Sequence, residues 1–303
     1  MIEIGMCADE NFAMPCGVCI TSIFENNKAN KIRIHILTEG FSDATIRLFE
    51  KTAESYGQVI IIHKIDCSVF DGMPVTDVYP KSIYFRLLFP NLMQDSISRL
   101  IYLDCDILVN QDISEMWNID ISNYGIGCVW DQKGEDIHHK NRIEINNTYL
   151  NSGVLLMNLQ WLREYDFTYK CMKYIRDYPE RCVNPDQDAI NVILKDKFLF
   201  IHPRYNMQQL YLLEKRRLFL GCDKWGLINE AIDNPVIIHY TGIYKPWHKE
   251  CEHPMRSLFI QMKKNSQWHK YKILHKYKLK KRLILYVVNK LKNIYWFLVS
   301  EQK

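Results

Sequence analysis

Two aspartates, Asp104 and Asp106, come directly after a predicted buried strand at Leu100–Leu103. One residue between them lets both carboxylates reach a single cation at a strand end, and hard divalent metals prefer such oxygen ligands. Acidic pairs at strand ends are also common without a metal. The pair therefore indicates a metal site only when other residues join it.

A second segment supplies residues of that kind. The predicted strand Val236–Tyr240 contains His239, and Gly242 and Lys245 follow it. Mn²⁺ accepts imidazole and carboxylate ligands together. Glycine permits close backbone approach to a phosphate, and lysine adds a cation for it. A core histidine beside a turn would explain His239 on its own. Its combination with Gly242, Lys245 and the Asp-x-Asp pair favours a metal and phosphate site.

β-Branched runs that alternate with helical stretches predict the elements that position these residues. The predicted strands are Ile2–Asp9, Ile32–Thr38, Val59–Asp66, Leu100–Leu103, Ile126–Trp130, Val154–Asn158, Phe198–His202 and Val236–Tyr240, with early helices at Met14–Glu25 and Ser42–Ser55. This order predicts an α/β fold that starts with a βαβ unit and has a largely parallel sheet. Ligands bind at the carboxyl ends of such strands, where Asp9, the Asp104/Asp106 pair and Asp131 fall.

Charge is distributed unevenly along the 303 residues. The net charge is only +4, but the segment from Lys263 to Lys303 holds 12 Lys and Arg residues against one acid. No linker or repeat interrupts the chain before Pro254. We therefore predict a catalytic domain at residues 1–254 and a basic C-terminal segment at residues 255–303.

The C-terminal segment combines basic residues with aromatic ones, including Tyr286, Tyr295, Trp296 and Phe297. Its apolar stretch, Leu283–Val299, is too polar to predict a transmembrane helix. It is typical of an amphipathic helix in the interface of an anionic membrane, with a solvated or docked basic helix as the alternative. No nucleic-acid-binding motif surrounds it.

The spacing of the ten cysteines is not typical of a disulfide framework, and no secretory signal is visible at Met1. Both features predict reduced thiols and a cytoplasmic protein, peripheral on the inner face of the cell membrane. Cys16 and Cys19 form the one CxxC motif. We interpret it as core packing at a helix start rather than as a redox site.

Six motifs occur in an order that resembles retaining glycosyltransferase family 8, which includes lipopolysaccharide galactosyl- and glucosyltransferases. They are MCADENFAMP, YFRLLFP, YLDCDILV, YLNSGVLLMNL, NPDQDAIN and HYTGIYKPWH, and they span about residues 2–254. The resemblance implies a GT-A fold, which is Rossmann-like with a mixed, mainly parallel sheet. It also implies a UDP-hexose donor and Mn²⁺, for which Mg²⁺ is a possible substitute.

The resemblance further assigns roles by motif position. It implies that the metal is held by Asp104, Asp106 and His239; that the nucleotide is bound by Cys7, Asp9, Asn11, Asp104, Cys105, Asp106, Gly242 and Lys245; and that the donor sugar is bound by Arg86, Asp131, Asn151, Asp186 and Gln187. The candidate catalytic residues are Gln187, Asp186 and Asp188. We expect front-face substitution, in which the leaving diphosphate assists the incoming hydroxyl and Gln187 positions the donor.

The expected reaction moves galactose or glucose to a glycan or lipid-linked acceptor, in the synthesis of lipopolysaccharide or another surface polysaccharide. Two alternatives remain open at this point. A nucleotidyltransferase also uses an acidic metal pair, although no glycine-rich phosphate loop is visible. An inactive nucleotide-sugar-binding protein is typically recognised by lost metal ligands, and all three are present.

Overall fold

The structure, a computed structural model, describes residues 1–76, 80–212, 222–279 and 281. Its strands are β1 Ile2–Cys7, β2 Ile32–Thr38, β3 Val59–Lys64, β4 Arg99–Leu103, β5 Ile107–Val109, β6 Ile126–Trp130, β7 Leu150–Asn158, β8 Phe198–Phe200, β9 Met207–Gln208 and β10 Ile237–His239. Its α-helices are α1 Ala13–Asn26, α2 Asp43–Tyr56, α3 Phe89–Leu92, α4 Ser114–Trp117, α5 Ile137–Arg142, α6 Leu159–Glu164, α7 Phe167–Asp177, α8 Pro185–Ile193, α9 Trp225–Asp233 and α10 Arg256–Asn265. All the predicted strands appear near their predicted positions.

Seven strands form the main sheet in the order β3-β2-β1-β4-β7-β6-β8. Strands β1, β2, β3 and β4 pair in parallel, and β6 pairs in parallel with β8. Strand β7 runs antiparallel to both of its neighbours, β4 and β6. The sheet is therefore mixed and mainly parallel, as predicted.

A second, three-stranded sheet has the order β5-β10-β9, and the sequence did not predict it as a separate sheet. The chain leaves the main sheet at Leu103 and enters the small one at Ile107, so the Asp-x-Asp pair lies at the crossover. The backbone N–H of Asp104 donates to Gly153 in the main sheet at 2.9 Å. The backbone oxygen of Asp106 accepts from Tyr240, after the small sheet's β10, at 3.0 Å. These bonds fix one aspartate to each sheet.

Helix α1 is buried all round, from Ala13 to Phe24, because it packs against β5, α2 and α10 as well as against the core of the main sheet. Cys16 and Cys19 lie on it with no exposed surface, which confirms that this CxxC motif packs in the core. The cysteines from Cys7 to Cys182 and Cys251 are free thiols. No helix in the described ranges has the length and apolarity needed to cross a membrane.

The globular body continues past Pro254, where the sequence placed its boundary. Phe259 in α10 and Trp268 are fully buried in the same core as β1 and α1. The indole of Trp268 lies so close to Gly17 that a Cβ added there would be 1.8 Å from its Nε1. The start of the predicted tail is thus part of the body, because its aromatic residues complete the core. Leu283–Val299 lies outside the described residues.

Trp268→Ala should lower the free energy of unfolding by about 3–5 kcal/mol, since it removes a fully buried indole and leaves a cavity over Gly17. Urea unfolding followed by circular dichroism measures the change. Leu279→Ala is the matched control, because Leu279 is 64% exposed and its loss should cost less than about 0.5 kcal/mol. Equal stability of the two variants would show that Trp268 is not a core residue.

Candidate functional site

Asp104 forms an ion pair with Arg86. The guanidinium lies 2.8 Å from Asp104 Oδ1, which also accepts a hydrogen bond from the Tyr102 hydroxyl at 2.7 Å. Both contacts use the same oxygen of Asp104. The other oxygen, Oδ2, is therefore directed toward Gly153 and His239 and remains available to a ligand.

Asp106 contacts two cationic or potentially cationic groups. Its Oδ2 lies 2.6 Å from Lys245 Nζ, and its Oδ1 lies 3.2 Å from His239 Nε2. Burial opposes ionisation of this carboxyl group, but Lys245 and His239 outweigh burial and hold the pKa of Asp106 well below its usual range. Asp106 is therefore a carboxylate at neutral pH.

His239 is oriented by a residue that the sequence analysis missed. Its Nδ1 lies 2.9 Å from Asn206 Oδ1, and Asn206 in turn donates to Asn151 Oδ1 at 2.8 Å. With Nδ1–H donating to Asn206, Nε2 is the nitrogen that faces Asp106, and it would coordinate a metal ion that displaces its proton. No motif marks Asn206 in the sequence, and its role is visible only because β7 and the loop before β9 meet here.

Gly153 leaves room for the two ligand residues to meet. A Cβ at this position would lie 2.3 Å from His239 Cε1 and 2.8 Å from Asp104 Oδ2. Real Cβ atoms do not approach this closely, so any side chain would displace His239. Gly153 belongs to the motif YLNSGVLLMNL, but the sequence does not show why a glycine is needed there. The structure gives the reason, which is the close approach of His239 and Asp104.

The predicted sugar-binding residues form a hydrogen-bonded network beside the pair. Asp131 Oδ2 accepts from Asn151 at 2.9 Å and from Gln187 Nε2 at 3.4 Å. Gln187 Oε1 accepts from the Ser152 backbone N–H at 2.9 Å. Both ends of the Gln187 amide are thus held, as a positioning residue requires.

Asp186 lies in the first turn of α8, which Pro185 begins, and it pairs with Arg86 at 3.1 Å. Burial raises the pKa of Asp186, while Arg86 acts in the opposite direction. Arg86 therefore pairs with two carboxylates at once, those of Asp104 and Asp186. Asp186 itself is 5% exposed.

Asp188 is separated from this network. It has no exposed surface, and its Oδ1 accepts from Tyr149 at 2.5 Å and contacts His139 at 2.7 Å. Its Oδ2 accepts from the backbone N–H of Asn184 at 2.8 Å. Asp188 is thus enclosed by protein groups in this structure, and its catalytic role stays a prediction.

The predicted nucleotide-binding residues near β1 divide into two sets. Asp9 caps the short helix Glu10–Phe12 through Phe12 N at 2.9 Å, and Asn11 is exposed near it. Cys105, by contrast, is 5% exposed, and its thiol donates to the Cys7 backbone oxygen at 3.2 Å. The Cys105 side chain therefore packs β1 against the crossover, and its nucleotide-binding role stays a prediction. Burial also raises the pKa of the Cys7 thiol well above its usual value.

Gly242 lies against Gln209, which the sequence analysis did not single out. A Cβ at Gly242 would lie 1.9 Å from Gln209 Oε1. Within the described part of the chain this oxygen is buried without a hydrogen-bond partner. The close fit keeps the turn between β10 and Lys245 near the metal-ligand residues.

The donor set fits a divalent cation. Ligand atoms of Asp104, Asp106 and His239 lie within 4.8 Å of one another. Two carboxylates and an imidazole suit Mn²⁺ or a related ion, and second-sphere partners orient each of them. The structure thus brings together the three metal ligands that the sequence indicated.

Comparison with solved structures defines the class of fold. The galactosyltransferase LgtC, solved in complex with donor and acceptor sugar analogues, matches with a TM-score of 0.78 and 24% identity over 88% of this chain and 96% of LgtC. The glycosyltransferase GlyE of Streptococcus pneumoniae TIGR4 matches with a TM-score of 0.65 and 18% identity over 86% of this chain and 59% of GlyE. These similarities confirm the predicted GT-A fold.

The family follows from the sequence. A model described as "Glycosyl transferase family 8" matches residues 3–251, and the chain belongs to that family. Relatives include General stress protein A of Bacillus subtilis, 29% identical over 88% of this chain and 95% of the relative. Another is the lipopolysaccharide 1,3-galactosyltransferase of Salmonella typhimurium, 28% identical over 86% of this chain and 77% of the relative. The predicted hexosyltransferase class is confirmed, and the nucleotidyltransferase alternative is set aside.

Gly153→Ala should weaken Mn²⁺ binding by at least about tenfold, because the added Cβ displaces His239 and crowds Asp104. Titration followed by the electron paramagnetic resonance signal of free Mn²⁺ measures the affinity. Gly226→Ala is the matched control, since no atom lies within 4 Å of its added Cβ. Unchanged Mn²⁺ affinity in Gly153→Ala would contradict the ligand assignment.

Proposed function

We propose that the protein transfers galactose or glucose from a UDP-sugar to a saccharide acceptor, uses Mn²⁺, and keeps the α-configuration of the donor. The observation that carries this proposal is the Asp104, Asp106 and His239 cluster beside the anchored amide of Gln187, in a chain of glycosyltransferase family 8. The cluster offers a site for a metal and a diphosphate. The amide and its neighbours offer polar groups for the sugar.

Cleavage of a UDP-sugar requires stabilisation of the charge that develops on the leaving diphosphate. A divalent cation held by Asp104, Asp106 and His239 would supply Lewis-acid stabilisation of that charge. Lys245 adds a second positive charge on the same side of the crossover. Arg86 is committed to Asp104 and Asp186 and keeps their carboxylates in place.

The sugar side of the site favours front-face substitution over a covalent intermediate. A retaining double displacement requires a carboxylate nucleophile that reaches the sugar. Asp186 is nearly buried and paired with Arg86, and Asp188 is enclosed. In the proposed reaction Gln187 and Asp131 orient the donor, and a diphosphate oxygen receives the proton of the acceptor hydroxyl.

The proposed acceptor is a cell-surface saccharide or a lipid-linked precursor of one. Several relatives are named lipopolysaccharide 1,3-galactosyl- or 1,2-glucosyltransferases, including enzymes of Salmonella typhimurium and Escherichia coli. Galactose and glucose differ at one stereocentre, and the polar groups near Gln187 suit both. The synthesis of lipopolysaccharide or a related polysaccharide is therefore the process proposed.

Incubation with UDP-galactose or UDP-glucose and Mn²⁺ should release UDP, and proton NMR of the first product should show an α-linkage. Asp104→Asn or Asp106→Asn should remove nearly all turnover, because each loses a charged ligand. His239→Ala should act less severely, since two carboxylates and the diphosphate remain. Asp95→Asn is the control, because the Asp95 side chain is fully exposed. A β-linked product, or full turnover by Asp106→Asn at saturating Mn²⁺, would contradict the proposal.

We also propose that the protein acts at the cytoplasmic face of an anionic membrane. The support is the basic composition of residues 263–303 and a surface next to the site. Residue 274 forms a β-bridge with His248, which places this segment beside the turn that carries Lys245. Ile243, Leu274 and Leu279 are 68%, 61% and 64% exposed and lie among lysines. Such a surface suits an interface with lipid headgroups.

In a flotation assay at low salt, the full-length protein should float with anionic vesicles. With neutral vesicles it should stay in the bottom fraction, unbound. Removal of residues 282–303 should weaken this binding by at least about tenfold, since each basic residue contributes up to about 1 kcal/mol near the surface. UDP-sugar hydrolysis should persist, because Trp268 and the site residues are retained. Failure of the full-length protein to float would remove the membrane proposal and leave the transferase proposal intact.

A further inference from the structure

Two cations hold the Asp-x-Asp pair, and they do so in different ways. Arg86 is 8% exposed and binds Asp104 through Oδ1, which leaves Oδ2 free for a metal. The Lys245 side chain is 21% exposed, and its Nζ binds Asp106 Oδ2 at 2.6 Å and the Tyr240 backbone oxygen at 2.8 Å. Arg86 is therefore a buried cation that is fixed on Asp104, whereas Lys245 is a partly exposed cation whose partners are one oxygen of Asp106 and one backbone oxygen.

Lys245 on Asp106 opposes the binding of a divalent cation by the same carboxylate. The other oxygen, Oδ1, already lies 3.2 Å from His239 Nε2, so an ion shared with His239 and Asp104 comes within a few ångströms of the ammonium group. Like charges at that separation repel each other in a partly buried site. Binding of the metal is therefore opposed as long as Lys245 stays on Asp106.

The backbone around Lys245 is fixed, so only its side chain has to move. The Lys245 backbone oxygen accepts from His248 N at 2.8 Å, and its N–H donates to His248 Nδ1 at 3.1 Å. Arg256 donates to the Pro246 oxygen at 3.1 Å and to the His248 oxygen at 3.0 Å. A lysine has a flexible four-carbon stem, so its head group can change partners while this turn remains still.

We propose that Lys245 is an exchangeable cation that binds Asp106 when no diphosphate is present and moves to the diphosphate when one binds. This inference rests on the proposed function. The exchange removes a repelling charge from Asp106, so metal and nucleotide favour each other's binding, and the coupling is reciprocal. After transfer, loss of UDP returns Lys245 to Asp106 and weakens the hold on the metal between turnovers.

The test measures Mn²⁺ affinity in the full-length protein by electron paramagnetic resonance, with and without UDP. Lys245→Met should bind Mn²⁺ alone about tenfold more tightly than the parent protein, and the gain in affinity caused by UDP should shrink. Lys245→Arg retains the charge and should behave like the parent. Lys249→Met removes an exposed charge from the same segment and should change neither value. Lys245→Gln, also uncharged, replaces Lys245→Met if that variant does not fold.

The results separate the two proposals. If neutral variants at Lys245 bind Mn²⁺ alone no more tightly than the parent, while the parent shows Mn²⁺-dependent transfer, only the exchange is overturned. A similar gain in Lys245→Arg would also overturn it, because that variant keeps the competing charge. If the parent binds no Mn²⁺ even with UDP and transfers no sugar, the proposed function fails instead.

Discussion

The arrangement of the site depends on one buried guanidinium. The Nη2 atom of Arg86 lies 2.8 Å from Asp104, and its Nε lies 3.1 Å from Asp186 and also donates to the Ile83 oxygen. Its Nη1 donates to Ser152. Removing one partner of a buried ion pair costs about 3–5 kcal/mol, because the other charge is left uncompensated. Arg86 thereby connects the metal-ligand side, on the crossover after β4, to the sugar side, on α8. Neither carboxylate can shift without affecting the other.

The parts of the structure that the sequence predicted follow from two simple regularities. Apolar β-branched runs identified the long strands of the main sheet, including β1 and β4. The order of short motifs is the second regularity: its resemblance to family 8 implied that Asp104, Asp106 and His239 would meet, and they do. Both regularities act over short stretches of chain, so a single sequence is enough to apply them.

The parts that were missed depend on three-dimensional contacts. Strands of two or three residues, such as β9 and β5, are too short to show a period, so the small sheet was not visible. Consecutive residues on a helix point about 100° apart, so Asp186, Gln187 and Asp188 point in different directions, and Asp188 turns into the protein. The basic composition of the C-terminal segment concealed the core role of Trp268.

The contact between Trp268 and Gly17 joins residues that are far apart in the sequence. On the ribosome, β1 and α1 emerge long before the indole that covers α1. Until then the apolar surface of α1 around Gly17 has no side chain to cover it. This part of the core therefore cannot be completed before Trp268 has been synthesised.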